Sequence, residues 1–242
     1  MTENLYSDRV KAFDENYREV TAQIAAAAEK SGRSPTEITL LAATKTVPLE
    51  VINHAIEQGV TCVGENRVQE LLDKYDGLQK EHCDVQFIGR LQTNKVKYLL
   101  HKVSCIQSVD STRLAREISR LCVREQTHMD VLVEVNIGRE ASKGGVLPEA
   151  LTEFVDEIRG MPGLTVRGLM TIPPDCGNTR ELFQYFSSMR QHYVDIAAKK
   201  LDNVFMDHLS MGMSSDFSAA IECGATMVRV GSALFGKREK IY

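Results

Sequence analysis

The run ITLLAATKTVP, Ile38 to Pro48, is an apolar, β-prone stretch that finishes in an amine, Lys45, between two threonines. An ammonium is costly to take out of water. Lys45 is therefore either a solvated residue just past a strand or a group held there for its reactivity. A lysine partly shielded from water gives up its proton more readily and can condense with a carbonyl. Two later stretches suit an anion. HLSMGMSSD (208–216) and VRVGSALFG (228–236) are rich in Ser and Gly. Small residues let backbone N–H groups approach an anion, and a following helix adds a favourable dipole. Ser214 or Ser215 is placed to cap a helix, and for Ser215 an ordinary cap is a sufficient reading. Gly231 and Ser232 follow directly on a buried strand, which favours anion binding there. Arg229 stands two residues before Gly231 and so projects from the same side of that strand.

These residues need a scaffold that gathers them at one end. The sequence alternates β-prone runs with helical ones. The β runs are Ile38–Thr44, Thr61–Gly64, Val85–Gly89, Val103–Val109, Val131–Ile137, Thr165–Thr171, Val204–Leu209 and Met227–Gly231. Helical patterns lie between them, among them LEVINHAIEQG, NKVKYLLHK, STRLAREISRLCVREQ and SSDFSAAIECG. The strands are near-continuous apolar runs, as parallel strands covered on both faces require. Eight βα units in about 250 residues predict a (β/α)8 barrel. An open doubly wound sheet is the alternative, but no Gly-rich first βα turn supports it. A helix from about Asn4 to Lys30 precedes the first strand, with Val10, Phe13, Tyr17, Val20 and Ile24 on one face. The expectation is one domain over residues 1–242, with helix 1–31 packed on a barrel of 38–236.

In such a barrel the C-terminal strand ends carry the chemistry. Lys45, GEN (Gly64–Asn66), Glu134 and Asn136, and the two Ser/Gly loops all fall there. A buried Arg229 needs an acceptor. It either pairs with Glu65 or Glu134 or donates to an aromatic ring nitrogen. An amine facing a phosphate cradle fits a pyridoxal phosphate (PLP) protein or a Schiff-base aldolase acting on a phosphorylated sugar. In the PLP case a permanently charged guanidinium leaves the pyridine neutral, a poorer electron sink than a pyridinium.

Composition bounds the rest. Net charge is −4, with 29 basic and 33 acidic residues interspersed, which gives no reason to expect nucleic acid or an anionic membrane. No apolar run is long enough to span a bilayer, and the charged start reads as neither a secretory signal nor a transit peptide. The six cysteines, at 62, 83, 105, 122, 176 and 223, form no metal-ligand spacing. Reduced thiols and a cytoplasmic protein are the expectation.

AATKTVP, GENRVQE, FIGRLQTNK, KGG, GLMTI, HLSMGMSSD and MVRVGSALFG together resemble the PLP homeostasis proteins, also called the proline-synthase co-transcribed family. The motifs run in order from Ala42 to Gly236. That family is similar to the barrel domain of the alanine racemases (fold type III). The resemblance implies that Lys45 carries PLP as an internal aldimine and that Asn66 lies beside the cofactor. It implies that Ser210, Ser214, Gly231 and Ser232 hold the phosphate and that Arg229 faces the pyridine nitrogen. Gln86 departs from the pattern, since many members have His there. The sequence ends eleven residues after Gly231, so the racemases' second β domain, with the tyrosine it delivers across a dimer, is not expected. Two-base racemisation needs a group on each face of the α-carbon, and no tyrosine falls at a predicted strand end. The implied role is to carry and buffer PLP, as a monomer, with PLP-dependent apo-enzymes as partners and no metal. A monomeric racemase-like enzyme is the alternative.

Overall fold

The computed structural model describes residues 2–236. Eight parallel strands pair in chain order and close on themselves: β1 (Thr39–Ala43), β2 (Cys62–Glu65), β3 (Asp84–Phe87), β4 (Cys105–Val109), β5 (Met129–Glu134), β6 (Leu164–Met170), β7 (Val204–Ser210) and β8 (Met227–Val230). Closure is explicit at β1, whose Ala42 pairs with Val63 on one side and Val230 on the other. That excludes the open sheet. The predicted strands all form, with ends moved by at most three residues.

The helices form an outer ring: α2 (Leu49–Glu57), α3 (Val68–Tyr75), α4 (Thr112–Arg124), α5 (Leu151–Arg159), α6 (Thr179–Ala198), α7 (Phe217–Glu222) and the short α8 (Ser232–Phe235). Each buries one apolar stripe against the strands, as Leu114, Ile118, Leu121 and Cys122 of α4 illustrate. One predicted helix is absent. NKVKYLLHK folds as a 3-10 segment, Thr93–Tyr98. Successive i→i+3 bonds bury Val96 and Leu99, and His101, at φ 62, ends the run before a helix can propagate.

The leading helix α1 (Thr2–Lys30) lies against α2, α7 and α8. Phe13 is its anchor. It is fully buried, stacks on Phe235 of α8 at 5.4 Å and meets His54 of α2 edge-on at 5.9 Å. Asn16 donates to the Leu234 carbonyl at 2.9 Å. Thus α1 braces the loop that follows the last strand. Among the described residues no helix is long and apolar enough to cross a membrane.

The apolar side chains of the lumen form two small buried groups. Leu41, Cys62 and Met227 make one, and Cys105, Leu132 and Met170 the other. Burial pushes the Cys105 thiol up, so the buried cysteines act as small apolar side chains. The barrel also buries polar side chains, Gln86, Gln107, Ser210 and Arg229.

Candidate functional site

Lys45 sits in a tight turn directly after β1. The Val47 N–H donates to the Thr44 carbonyl at 3.0 Å, which makes Lys45 and Thr46 the corner residues. Thr46 is held at φ 63, an unusual conformation for a β-branched residue. Such a corner persists only where its surroundings fix it. Here Glu70 accepts from the Thr46 N–H at 2.9 Å. Lys74 donates to the Thr44 carbonyl at 3.0 Å and to Glu65 Oε1 at 2.7 Å, and the Thr44 hydroxyl donates to the same oxygen at 2.8 Å. Glu65, at the end of β2, is 2% exposed. A side-chain network from β2 and α3 therefore pins the backbone on both sides of the amine.

A cavity of about 750 Å³ opens at this end of the barrel, within the size range of small-molecule sites. Lys45, Ser214, Arg229, Gly231 and Ser232 line it, together with Thr46, Ser215 and Arg9 of α1. The Ser214 hydroxyl accepts from the N–H groups of Gly231 and Ala233, both at 3.1 Å. A hydroxyl and two convergent amides thus meet at the end of β8. Position 231 suits glycine because a Cβ there would stand 3.3 Å from the Ala43 carbonyl oxygen of β1. Ser215 does not cap α7. Asp216 holds the N-cap position, and its carboxylate accepts from the Met213 N–H at 2.5 Å.

Arg229 is buried at the cavity floor. Its guanidinium donates to Ser210 Oγ at 2.7 Å and to the Thr171 carbonyl at 2.9 Å. Neither Glu65 nor Glu134 forms an ion pair with it among the described residues, since Glu65 is taken by Lys74. Glu134 and Asp216 act on Arg229 at longer range. Loss of water pushes the guanidinium down to about 10, and those two carboxylates oppose the shift, so it stays cationic at neutral pH. Burial, with Asp110 nearby, pushes the Glu134 carboxyl up; Arg229 and Arg90 pull the other way.

Five of the seven sequence-derived site residues meet on the cavity wall. Ser210 is fully buried beneath it, with its hydroxyl committed to Arg229 and Gln107 rather than to the anion cradle. Asn66 follows β2 and lies outside that lining, and its Oδ1 is buried without a partner, as is Glu65 Oε2. The approach of the Asn66 carbonyl to Gly89 is so close that a Cβ there would lie 2.0 Å from it. Sequence reasoning missed Arg9, Glu70 and Lys74. The i,i+4 spacing of Glu70 and Lys74 is a visible signal, but their inward direction is a property of the closed barrel.

Comparison with known proteins is decisive for the family. The alanine racemase N-terminal domain family matches residues 9–239. A pyridoxal phosphate homeostasis protein of Aquifex aeolicus is 46% identical over 225 residues, covering 93% of this chain and 98% of that one. The chain belongs to the pyridoxal phosphate homeostasis protein family. Solved structures agree with that membership. A Bifidobacterium adolescentis protein superposes with a TM-score of 0.91 at 36% identity, over 94% of this chain and 96% of the other. PipY of Synechococcus elongatus, whose structure has PLP bound, superposes with a TM-score of 0.77 at 30% identity, over 88% of this chain and all of that one. Both superpositions span most of the barrel built up above.

Proposed function

We propose that this protein binds pyridoxal 5'-phosphate at Lys45 and carries and buffers it, supporting vitamin B6 and amino-acid balance. The observation that carries the reading is the donor set of one cavity. It holds one amine, the buried Arg229 guanidinium, which cannot accept, and the Ser214 hydroxyl with two converging amides. These match, in kind, an aldehyde, a ring nitrogen and a phosphate. The orphaned Asn66 Oδ1 beside this end of the barrel adds an acceptor in want of a donor. The PLP-bound relative supports the choice of ligand.

When bound, PLP supplies a reactive aldehyde on an electron-withdrawing ring. The protein's part is to hold it. Lys45 retains it through its ε-nitrogen, in a bond that water or another amine reverses. Ser214, Gly231 and Ser232 take the phosphate, which makes retention selective for the phosphorylated vitamer. Arg229 donates to the ring nitrogen and stays charged, which mutes carbanion chemistry. Lys45 is the one group on the described wall suited to moving a proton, the other ionisable side chains being guanidiniums. That favours a carrier over a two-base racemase. On this reading the protein is a cytoplasmic monomer that exchanges PLP with dependent apo-enzymes.

The test is retention. Protein incubated with PLP and desalted is expected to keep one equivalent with a visible absorption band. Lys45→Ala is expected to fold and keep none. A folded variant that retains the parent's stoichiometry overturns the assignment. Deuterium uptake at the α-carbon of an added amino acid in D2O would favour the racemase-like alternative.

A further inference from the structure

Behind Arg229 the barrel lumen holds a line of side chains that the reading above does not use. Arg229 donates to Ser210 Oγ at 2.7 Å. Ser210 donates to Gln107 Oε1 at 2.7 Å. Gln107 Nε2 donates to Gln86 Oε1 at 2.6 Å, and Gln86 Nε2 donates to Asp84 Oδ2 at 2.7 Å. Each link comes from a different strand except the last, where both residues stand on β3. The line starts at the cavity floor and ends at the first residue of β3, exposed at the opposite mouth.

The ends fix its polarity. A guanidinium can only donate, so the Ser210 oxygen must accept from it. The serine proton is then left for Gln107, whose carbonyl must face Ser210. Its amide nitrogen is thereby turned toward Gln86, and the second N–H finds the Met227 sulfur at 3.1 Å. Gln86 must follow the same sense, and the carboxylate of Asp84, an acceptor, closes it. Reversing any one amide would set donor against donor or acceptor against acceptor. Barrel interiors are ordinarily filled with branched apolar side chains. Two buried glutamines are costly there unless every group is satisfied.

We propose that Asp84, Gln86 and Gln107 are positioning residues for Arg229. They hold the Ser210 oxygen as an acceptor and so lock the guanidinium in the orientation it presents to the cavity. A carboxylate at the bottom of the barrel thereby sets the polar environment of a ligand at the top. This deepens the PLP reading but has a consequence in the ligand-free protein.

The experiment is nitrogen-15 NMR of the arginine side-chain N–H groups in the ligand-free protein, with Arg229 assigned by its loss in Arg229→Lys. Slowly exchanging Arg229 resonances are expected in the parent and in Asp84→Asn, whose amide oxygen still accepts. They are expected to broaden or shift in Asp84→Leu and in Gln107→Leu. Asp84 is exposed, so its variants keep the test alive if Gln107→Leu fails to fold. Unchanged resonances in folded Asp84→Leu overturn the proposal. In the PLP-loaded protein, Asp84→Leu is expected to move the absorption band and weaken retention about tenfold, the scale of one misplaced charge-assisted bond. Asp84→Asn is expected to restore both. A parent that retains no PLP defeats the cofactor reading but leaves the resonance test standing.

Discussion

Lys74 matters to Lys45 although it lies outside the cavity. It pairs with Glu65, which is 2% exposed, and ties the Thr44 carbonyl next to Lys45. Removing one member of a buried pair leaves an uncompensated charge. Lys74→Met is therefore expected to destabilise the fold by about 3–5 kcal/mol in urea unfolding. Adding Glu65→Gln is expected to recover much of that loss. Equal midpoints for the parent and Lys74→Met would contradict the pairing. That Lys45, Arg229 and Gly231 share one cavity was legible in sequence because an amine, a guanidinium and a glycine at strand ends are each hard to explain as core. The family resemblance assigns Ser210 to the phosphate, whereas its hydroxyl here is committed to Arg229 and Gln107. Only the closed barrel reveals that its hydroxyl points down to Gln107.

At the scale of elements, the eight strands were legible because each is a continuous apolar run between turn-forming residues. The Thr93–Tyr98 segment was not. Its apolar spacing fits a helix as well as a tight turn, and the left-handed His101 that decides between them leaves no strong mark in sequence. The direction of α1 was likewise hidden. Its apolar face predicts packing, but the brace on α8 through Phe13 and Asn16 depends on the tertiary arrangement. Phe13→Ala is expected to cost about 3–5 kcal/mol through the cavity it leaves. The same change should weaken PLP retention, because Phe235 and the Gly231–Ser232 loop lose their backing. A variant that loses stability with retention untouched would show that α1 does not support the site.

For the molecule as a whole, stability should depend on pH through Glu134. Its folded carboxyl is raised above the ordinary 4.5, chiefly by burial. The folded state then binds a proton more tightly than the unfolded one, so this group adds stability as pH falls through its folded pKa toward 4.5. Above that window the buried charge is a net cost. Glu134→Gln is expected to raise Tm at about pH 8 more than at about pH 4.5, where parent and variant converge. An equal change at both values would contradict the burial argument. The whole architecture, from the pinned turn after β1 to the amides after β8, converges on one amine. The most direct measurement is reductive trapping: load the protein with PLP, treat it with borohydride, digest it and locate the phosphopyridoxyl group by mass spectrometry. The account predicts a single adduct on Lys45. An adduct on a different lysine, or none after loading, would contradict it.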